Sequence, residues 1–592
     1  RNRVLDFQNL NNTEEKSKST GVKPMDYALE DFFGSSPKTI MMDKTVVTNY
    51  SDLEYSKENI ASYLSQVLQL EAVACKDWLT NKVDRCVGGR VAKQQSVSPL
   101  QLPLNNVGVM ALDFKGKEGI ATSIGHSPIS ALVNPVAGSR TAIAEALSNI
   151  VWAPLKDGLQ SVSLSANWMW ACKNEGEDAR LYEAVKGCSD FAIELGINIP
   201  TGKDSLSMKQ KYPNDEVIAP GTVIISAAGN CSNITKVVEP VLQRNGGNIY
   251  YINLSQDSFK LGGSSFAQVL NKIGNDVPKI QNSEFFKKAF NVLQDLIKDR
   301  KIKAGHDIGS GGLITTLLEM CFADDKLGAL IDLTSLGEKD TVKALFNENI
   351  GVVFQANAEV EATFAQHNIE IFKIGSAIDG DAFTVINGDD SLTFSIATLR
   401  DTWYKTSFLL DSKQSKNGMA QARFDNYKNQ KLQFTFPSHF DGKLPVIDAS
   451  KPRPIAAIIR EKGSNSEREM ANAMFLAGFD VKDVHMTDLI SGRETLEDIQ
   501  FIGAVGGFSN SDVLGSAKGW AGAFLYNEKA NTALKNFFKR EDTLSVGICN
   551  GCQLLMELEL INPEHEVHGK MHHNTSNKHE SGFTSVTVQK NN

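Results

Sequence analysis

A chain of 592 residues is too long for one hydrophobic core and implies about three or four domains. With 41% hydrophobic and 22% charged residues it has the composition of an ordinary globular protein, and a net charge of −9 argues against nucleic acid or an anionic membrane as its main partner. A phosphorylated metabolite stays open, because it needs only a local pocket. Of the eight cysteines, only Cys549 and Cys552 stand close together, and no disulfide-like framework is visible, which points to a reducing compartment. No apolar run approaches the roughly 18 residues of a membrane span, and Arg1-Asn-Arg-Val-Leu-Asp6 is neither a signal peptide nor an initiator methionine. The expectation is a cytoplasmic protein, cut from something longer.

In chain order, residues 1–95 read as a linker followed by a helical segment. Asn9 to Thr20 is almost free of apolar residues, whereas Ile60, Tyr63, Leu64, Val67, Leu68 and Val73 recur with helical spacing. Residues 96–235 form the first substantial domain, with strands at 107–113 and 222–228 and helices from Gly138 to Ala153 and from Asp178 to Leu195. On the first of these helices Glu145 and Asn149 sit four apart and project together. They suit either an exposed polar face or a pair of oxygen ligands for Mg²⁺.

Two glycine-bearing loops follow. Thr201-Gly-Lys-Asp-Ser-Leu-Ser207 contains a Gly-Lys pair without the earlier glycine of a P-loop, so at most it offers an anion site. Gly305-His-Asp-Ile-Gly-Ser-Gly-Gly-Leu313 precedes a helix and is either a tight turn or a place where backbone amides and Asp307 meet phosphate and metal. Residues 236–410 read as a second α/β domain, with strands at 248–254 and near Val352 and Phe383 and helices at 266–273 and 285–298. Residues 411–453 turn polar and read as a linker. From 454 onward short strands alternate with helices, which implies a parallel sheet with its chemistry at the carboxyl ends of the strands.

The last such strand, Leu544 to Ile548, reads as buried and runs into a sharp turn at Cys549 and then a helix. That is the pattern of a nucleophile elbow, in which helix amides and dipole favour a thiolate or an oxyanion. Cys549-x-x-Cys552 is also compatible with a redox pair or half of a zinc site, but the spacing Gly547-x-Cys549-x-Gly551-x-Gln553 favours the nucleophile. The Gly506-Gly-Phe-Ser loop lies at the same sheet edge and can offer N–H groups to an oxyanion.

Gly547-Ile-Cys-Asn-Gly-Cys-Gln553 resembles the nucleophile motif of class I glutamine amidotransferases, and of the phosphoribosylformylglycinamidine synthase family in particular. Arg460 to Met470, Asp512 to Trp520 and His573-Asn-Thr-Ser576 are similar to its glutaminase domain, while Ser165 to Met169, Thr201 to Met208 and Gly305-His-Asp307 are similar to the second half of its synthetase region. The resemblance implies an α/β and α+β multidomain fold: the second half of an AIR-synthase-like region, then a flavodoxin-like glutaminase domain over 454–592.

It further implies an ATP-dependent ligase of purine biosynthesis that takes ammonia from glutamine and converts formylglycinamide ribonucleotide to its amidine. Cys549 is then the nucleophile, and Gly507 and Asn550 are the oxyanion donors. Asp307 and Gly309 fall at the ATP or ADP site, and Asn106, Glu145, Asn149 and Asp307 fall at the Mg²⁺ ligands. Two departures stand out: Asn106 where the family has aspartate, and Ile-Gly-Ser-Gly-Gly where Ser-Asp-Gly-Gly is usual. The family's His-x-Glu does not occur after Cys549, so the resemblance implies an internal fragment, with the N- and C-terminal parts of the same polypeptide as its partners. A catalytically inactive nucleotide-binding or scaffold homologue is the alternative.

Overall fold

The computed structural model describes residues 4–6, 26–28, 34, 40, 44–429, 435–448, 450–584 and 586–587. The polar stretch from Asn9 to Thr20 lies outside the described residues. Near it, Val4–Asp6 pairs antiparallel with Asp26–Ala28, where an irregular linker was expected; Val4 and Tyr27 are residue types that favour strands.

The helical spacing after Tyr50 is realised as α1 (Ile60–Val67) and a single turn, α2 (Asp77–Thr80). Ile60, Leu64 and Val67 are buried in one core with Phe266, Leu317 and Trp403, so α1 belongs to the second domain rather than to a linker. The Trp403 indole N–H donates to Val73 O at 3.0 Å and secures the turn between the two helices.

The first domain is a six-stranded sheet of β1 (Val91–Lys93), β2 (Gly108–Ala111), β3 (Gly119–His126), β4 (Val162–Met169), β5 (Asn198–Ser205) and β6 (Thr222–Cys231), ordered β1-β2-β3-β6-β4-β5. Only β4 and β5 run parallel. Strict alternation along β3 buries one face beneath α3 (Pro135–Ile150), which packs beside α4 (Glu177–Leu195). The contact is closest at Gly125, where a Cβ would lie 2.2 Å from Ala142 O. That approach places Glu145, one turn further along α3, over the end of β3. The segment Thr201–Ser205, read from sequence as a loop, is part of β5. Gly202 pairs with Ala166, and a Cβ there would lie 2.0 Å from Ala166 O, so the glycine serves sheet pairing rather than a turn.

The second domain is a seven-stranded sheet of β7 (Asn248–Asn253), β8 (Ile302–Asp307), β9 (Leu327–Asp332), β10 (Gly351–Ala356), β11 (Phe372–Asp379), β12 (Ala382–Asn387) and β13 (Asp390–Ser395), ordered β8-β10-β7-β11-β9-β12-β13. Its helices are α5 (Ser283–Lys298), α6 (Gly312–Phe322) and α7 (Ile396–Asp411). The helix expected over 266–273 spans only Ser265–Val269, because Asn271 turns left-handed at φ 57°. The two domains share one core: Trp152 packs where Gly305 leaves room, and the buried Gln294 of α5 accepts from Leu155 N–H at 2.6 Å and donates to Ala153 O at 3.0 Å.

Within the polar stretch 411–453, α8 (Met419–Asn426) packs against α7, and Tyr427 is buried with its ring stacked on Tyr404 at 4.1 Å. In its first part some of the polar residues serve buried pairing, whereas 435–446 are exposed as a linker would be. Arg423 donates to both oxygens of Asp77 at 2.6 and 2.7 Å, and Tyr404 donates to the same carboxylate at 2.5 Å.

The third domain has four parallel strands, β14 (Ile455–Arg460), β15 (Asp480–His485), β16 (Phe501–Ala504) and β17 (Leu544–Gly547), ordered β15-β14-β16-β17, with α9 (Glu467–Leu476), α10 (Lys518–Tyr526), α11 (Glu528–Phe538) and α12 (Asn550–Glu557) around them. No helix among the described residues is long and apolar enough to cross a membrane.

Burial works against charge on Asp77, but Arg423, Tyr404 and Asn81 outweigh it and hold the carboxyl below its usual range. Asp77→Asn is therefore expected to cost about 3 kcal/mol at pH 7, read by urea unfolding, because it leaves Arg423 unpaired. A depressed carboxylate contributes stability above its unfolded pKa near 3.8 and loses it as pH falls through the lowered value, so the gap between wild type and variant narrows only below that pH.

Candidate active site

The turn after β17 places Cys549 at φ 56° and ψ −113°, a strained conformation for a residue with a side chain, directly before α12. Two glycines make this turn possible. A Cβ on Gly551 would lie 2.1 Å from Ala504 O, and one on Gly547 would lie 2.4 Å from Gly551 O, so α12 starts against the end of β16. The strand itself is less buried than its apolar residues suggest: among the described residues β17 pairs only with β16, Leu544 is 70% exposed, and Ile548 is exposed. Cys549 is exposed and Cys552 half-buried, both as free thiols.

Gly506 and Gly507 run beside the cysteine. A Cβ on Gly506 would lie 3.1 Å from Cys549 Cβ and 3.7 Å from its Sγ. Gly507 has φ 107° and pairs with Ser464 in a two-residue antiparallel bridge. The backbone of Asn550 opens α12, where N–H groups have no partner within the helix. Its buried side chain has a separate task, which sequence reasoning missed. Oδ1 accepts the Ser509 N–H at 3.2 Å, while Nδ2 donates to Gln553 Oε1 at 3.0 Å and Asp512 Oδ1 at 3.3 Å. Asn550 thus ties the elbow to the loop that follows Gly507.

A cleft of about 1010 Å³ opens at Cys549, lined by Asn465, Ser466 and Met470 and by residues 84–89 and 581–583. Part of this lining comes from chain segments distant in sequence, which no local motif could announce.

The residues expected at a nucleotide and metal lie in the first two domains and are only partly gathered. Asp307 ends β8, buried, with His306 Nδ1 at 3.0 Å from its Oδ1. Gly309 follows so closely that a Cβ would lie 3.5 Å from Asp307 Oδ2. Glu145, Gly309, Ser310, His126 and Glu348 line one hollow of about 100 Å³ at the start of α6. The Glu145 carboxylate accepts the His126 N–H at 2.7 Å; burial pushes the group up to about 8, and the Asp307 and Glu348 carboxylates add to the shift.

Glu348 is raised by burial although it accepts N–H groups of Gly311 at 2.7 Å and Ser265 at 2.9 Å. His306 pays for burial too, but Asp307 and Glu319 outweigh that and lift it to about 9. Asn149 stays on the Glu145 face of α3, its Nδ2 donating to Glu145 O at 3.0 Å and Ile124 O at 3.3 Å. Asn106 opens instead onto a separate groove of about 620 Å³ on the first sheet, its amide donating to Gly305 O at 3.2 Å. Sequence reasoning missed Glu348, which lay in an unremarkable Asn347-Glu-Asn349 triplet. Among the described residues no group of three or more His, Cys, Asp or Glu side chains converges on a metal position.

Comparison with known proteins assigns the three units. Residues 75–230 match the FGAR-AT PurM_N-like domain, 249–387 the AIR synthase related protein C-terminal domain, and 453–592 the CobB/CobQ-like glutamine amidotransferase domain. The chain is thus an AIR-synthase-like pair carrying a glutamine amidotransferase domain. It is 39% identical over 588 residues to a probable chloroplastic/mitochondrial phosphoribosylformylglycinamidine synthase of Arabidopsis thaliana, covering 95% of this chain and 41% of that protein. It is also 39% identical over 550 residues to the human phosphoribosylformylglycinamidine synthase, covering 89% of this chain and 41% of the human protein. A Thermotoga maritima PurL structure complexed with FGAR aligns at 14% identity and TM-score 0.44 over 57% of this chain and 53% of that one. Over the stretch it spans, the chain belongs to the phosphoribosylformylglycinamidine synthase family, and that stretch is about 41% of the length of the curated relatives.

Gly551→Ala drives a Cβ into Ala504 O. It is expected to destabilise the amidotransferase domain by about 1–3 kcal/mol, seen as faster amide hydrogen exchange in β16 and α12, and to change the alkylation rate of Cys549.

Proposed function

We propose that this chain is part of an enzyme that uses ATP and glutamine to convert formylglycinamide ribonucleotide to formylglycinamidine ribonucleotide in cytoplasmic purine biosynthesis. The observation that carries the reading is Cys549, held at a strained elbow with Gly506 and Gly507 alongside, in a domain matched to glutamine amidotransferases. In this reading the Cys549 thiolate attacks the glutamine carboxamide carbon. The N–H groups of Gly507 and Asn550 receive the oxyanion. Collapse releases ammonia and leaves a thioester, which water hydrolyses to glutamate. The proton given up by the thiol goes to the departing nitrogen, so that the leaving group is neutral ammonia.

ATP then phosphorylates the glycinamide carbonyl oxygen of formylglycinamide ribonucleotide, and ammonia displaces that oxygen as phosphate, giving the amidine with the formyl group retained. The backbone at Gly309 and Ser310 would face the nucleotide phosphates, with Asp307 reaching them through the cation, since the N–H groups of Gly311, Gly312 and Leu313 are taken by Glu348, Gly309 O and Asn347 O. The donor set fits a hard cation in kind: Glu145 is a buried carboxylate whose charging is opposed by Asp307 and Glu348, so Glu145, Asn149 and Asp307 would hold Mg²⁺ together with phosphate oxygens and water. Bound there, Mg²⁺ would neutralise phosphate charge. Asn106, facing another groove, is the departure that favours nucleotide binding without turnover as the second reading.

A diazo-ketone analogue of glutamine is expected to label Cys549 in wild type and to leave Cys549→Ser unlabelled; labelling at another residue overturns the glutaminase reading. Calorimetric titration with Mg-ADP is expected to show binding that Asp307→Asn weakens about tenfold or more, the cost of losing one charged ligand of the cation. Equal affinity in the variant removes Asp307 from the site.

A further inference from the structure

Residues 574–583 leave the core of the amidotransferase domain as a strap and lie along α2, the turn after it and the end of α7. Several anchors hold it. Ser576 is fully buried and its carbonyl accepts the Lys416 N–H at 2.9 Å, while the Asn417 side chain donates to Thr575 O at 2.8 Å. Lys578 Nζ donates to Asn81 Oδ1 at 2.8 Å and Asp411 Oδ1 at 2.5 Å, and the Ser581 N–H donates to Asn81 O at 2.7 Å. Further out, His579 Nε2 lies 3.2 Å from Asp84, and the Arg85 guanidinium sits over the Phe583 ring at 5.2 Å.

The anchoring groups are dry. Asn81 and Asp411 are 2% and 3% exposed, and the Lys578 side chain 12%. Asn81 Nδ2 also reaches Asp411 Oδ2 and Asp77 Oδ2, each at 3.3 Å, so the strap delivers a second cation to the network in which Arg423 serves Asp77. Desolvating an ammonium group costs several kcal/mol unless it finds its partners, so only one seating of the strap satisfies Lys578. That seating has a consequence at the other end of the segment: Ser581, Gly582 and Phe583 are wall residues of the Cys549 cleft, together with 84–89. The 84–89 loop reaches the amidotransferase domain closely, since a Cβ on Gly88 would lie 3.4 Å from Glu469 Oε1 of α9.

We propose that Lys578 is a positioning residue for the Cys549 cleft: its buried pairing with Asp411 and Asn81 seats the 579–583 strap, which with 84–89 forms part of the wall of that cleft. The shape of the cleft is thereby coupled to the docking of the amidotransferase domain on the synthetase half. Naming glutamine as the cleft's ligand rests on the function proposed above; the coupling itself rests on the contacts alone.

The test follows modification of Cys549 by peptide mass mapping in the 592-residue chain with three reagents: iodoacetamide, a fluorescein maleimide and the diazo-ketone glutamine analogue. Lys578→Ala is expected to speed the bulky maleimide about tenfold, to change iodoacetamide by less than about twofold and to slow the analogue about tenfold, as for a small misplacement of a binding wall. Lys578→Arg, which keeps the charge, restores all three rates. An unchanged maleimide rate in Lys578→Ala overturns the proposal. Faster maleimide together with no analogue labelling of the wild type upholds the strap and overturns the glutaminase reading. If Lys578→Ala does not fold, Phe583→Ala at the exposed end of the strap must speed the maleimide in the same way, and a rate equal to wild type overturns the proposal.

Discussion

The architecture turns on one carboxylate, Asp77, buried where three distant stretches of chain meet. Arg423 grips it with two nitrogens, Tyr404 and Asn81 donate to it, and Asn81 passes the network on to Asp411 and Lys578. A buried ion pair gains little over a well-packed apolar contact, since desolvation cancels most of the attraction. Its value here is selectivity, because any displacement of α8 or of the strap leaves a dry charge unpaired. The helical segment, the second domain and the amidotransferase domain therefore have one mutual arrangement, and the cleft before Cys549 lies at their junction.

At the elbow itself the controlling effect is repulsion. Three contacts of glycine with backbone or cysteine, at Gly506, Gly547 and Gly551, leave no space for a Cβ without movement. They bring the end of β16, the 506–507 strip and the first turn of α12 together around a single thiol. Strain at Cys549 costs on the order of 1–3 kcal/mol, and the packing of Leu554 and Trp520 in the same core holds it in place.

The synthetase half presents the opposite electrostatic situation. Glu145 and Glu348 are raised by burial, and His306 carries the compensating positive charge toward Asp307 and Glu319 rather than toward Glu145. The hollow at the start of α6 is thus short of positive charge. That imbalance is what supports the proposed cation there, more than any single motif does.

Much of this was legible from residue order. The apolar stripe of α3, the alternation of β14 to β17 with helices and the glycine spacing around Cys549 are local signals, written within a few turns or strands. Failures came where a local pattern has two physical meanings. Gly202 looks like a turn and is a point of sheet contact; the 419–429 stretch looks solvated, yet its Arg423 is satisfied by a partner 346 positions away. The sequence by itself determined the elements, the order of the domains and the turn that carries Cys549, because helix and strand periodicity and turn sterics act between near neighbours. Only the tertiary structure decided which polar groups are buried and paired, that Glu348 joins Glu145, that Asn106 faces another groove, and what walls the cleft. Those outcomes depend on desolvation and close packing between segments hundreds of residues apart, and no local spacing carries that information.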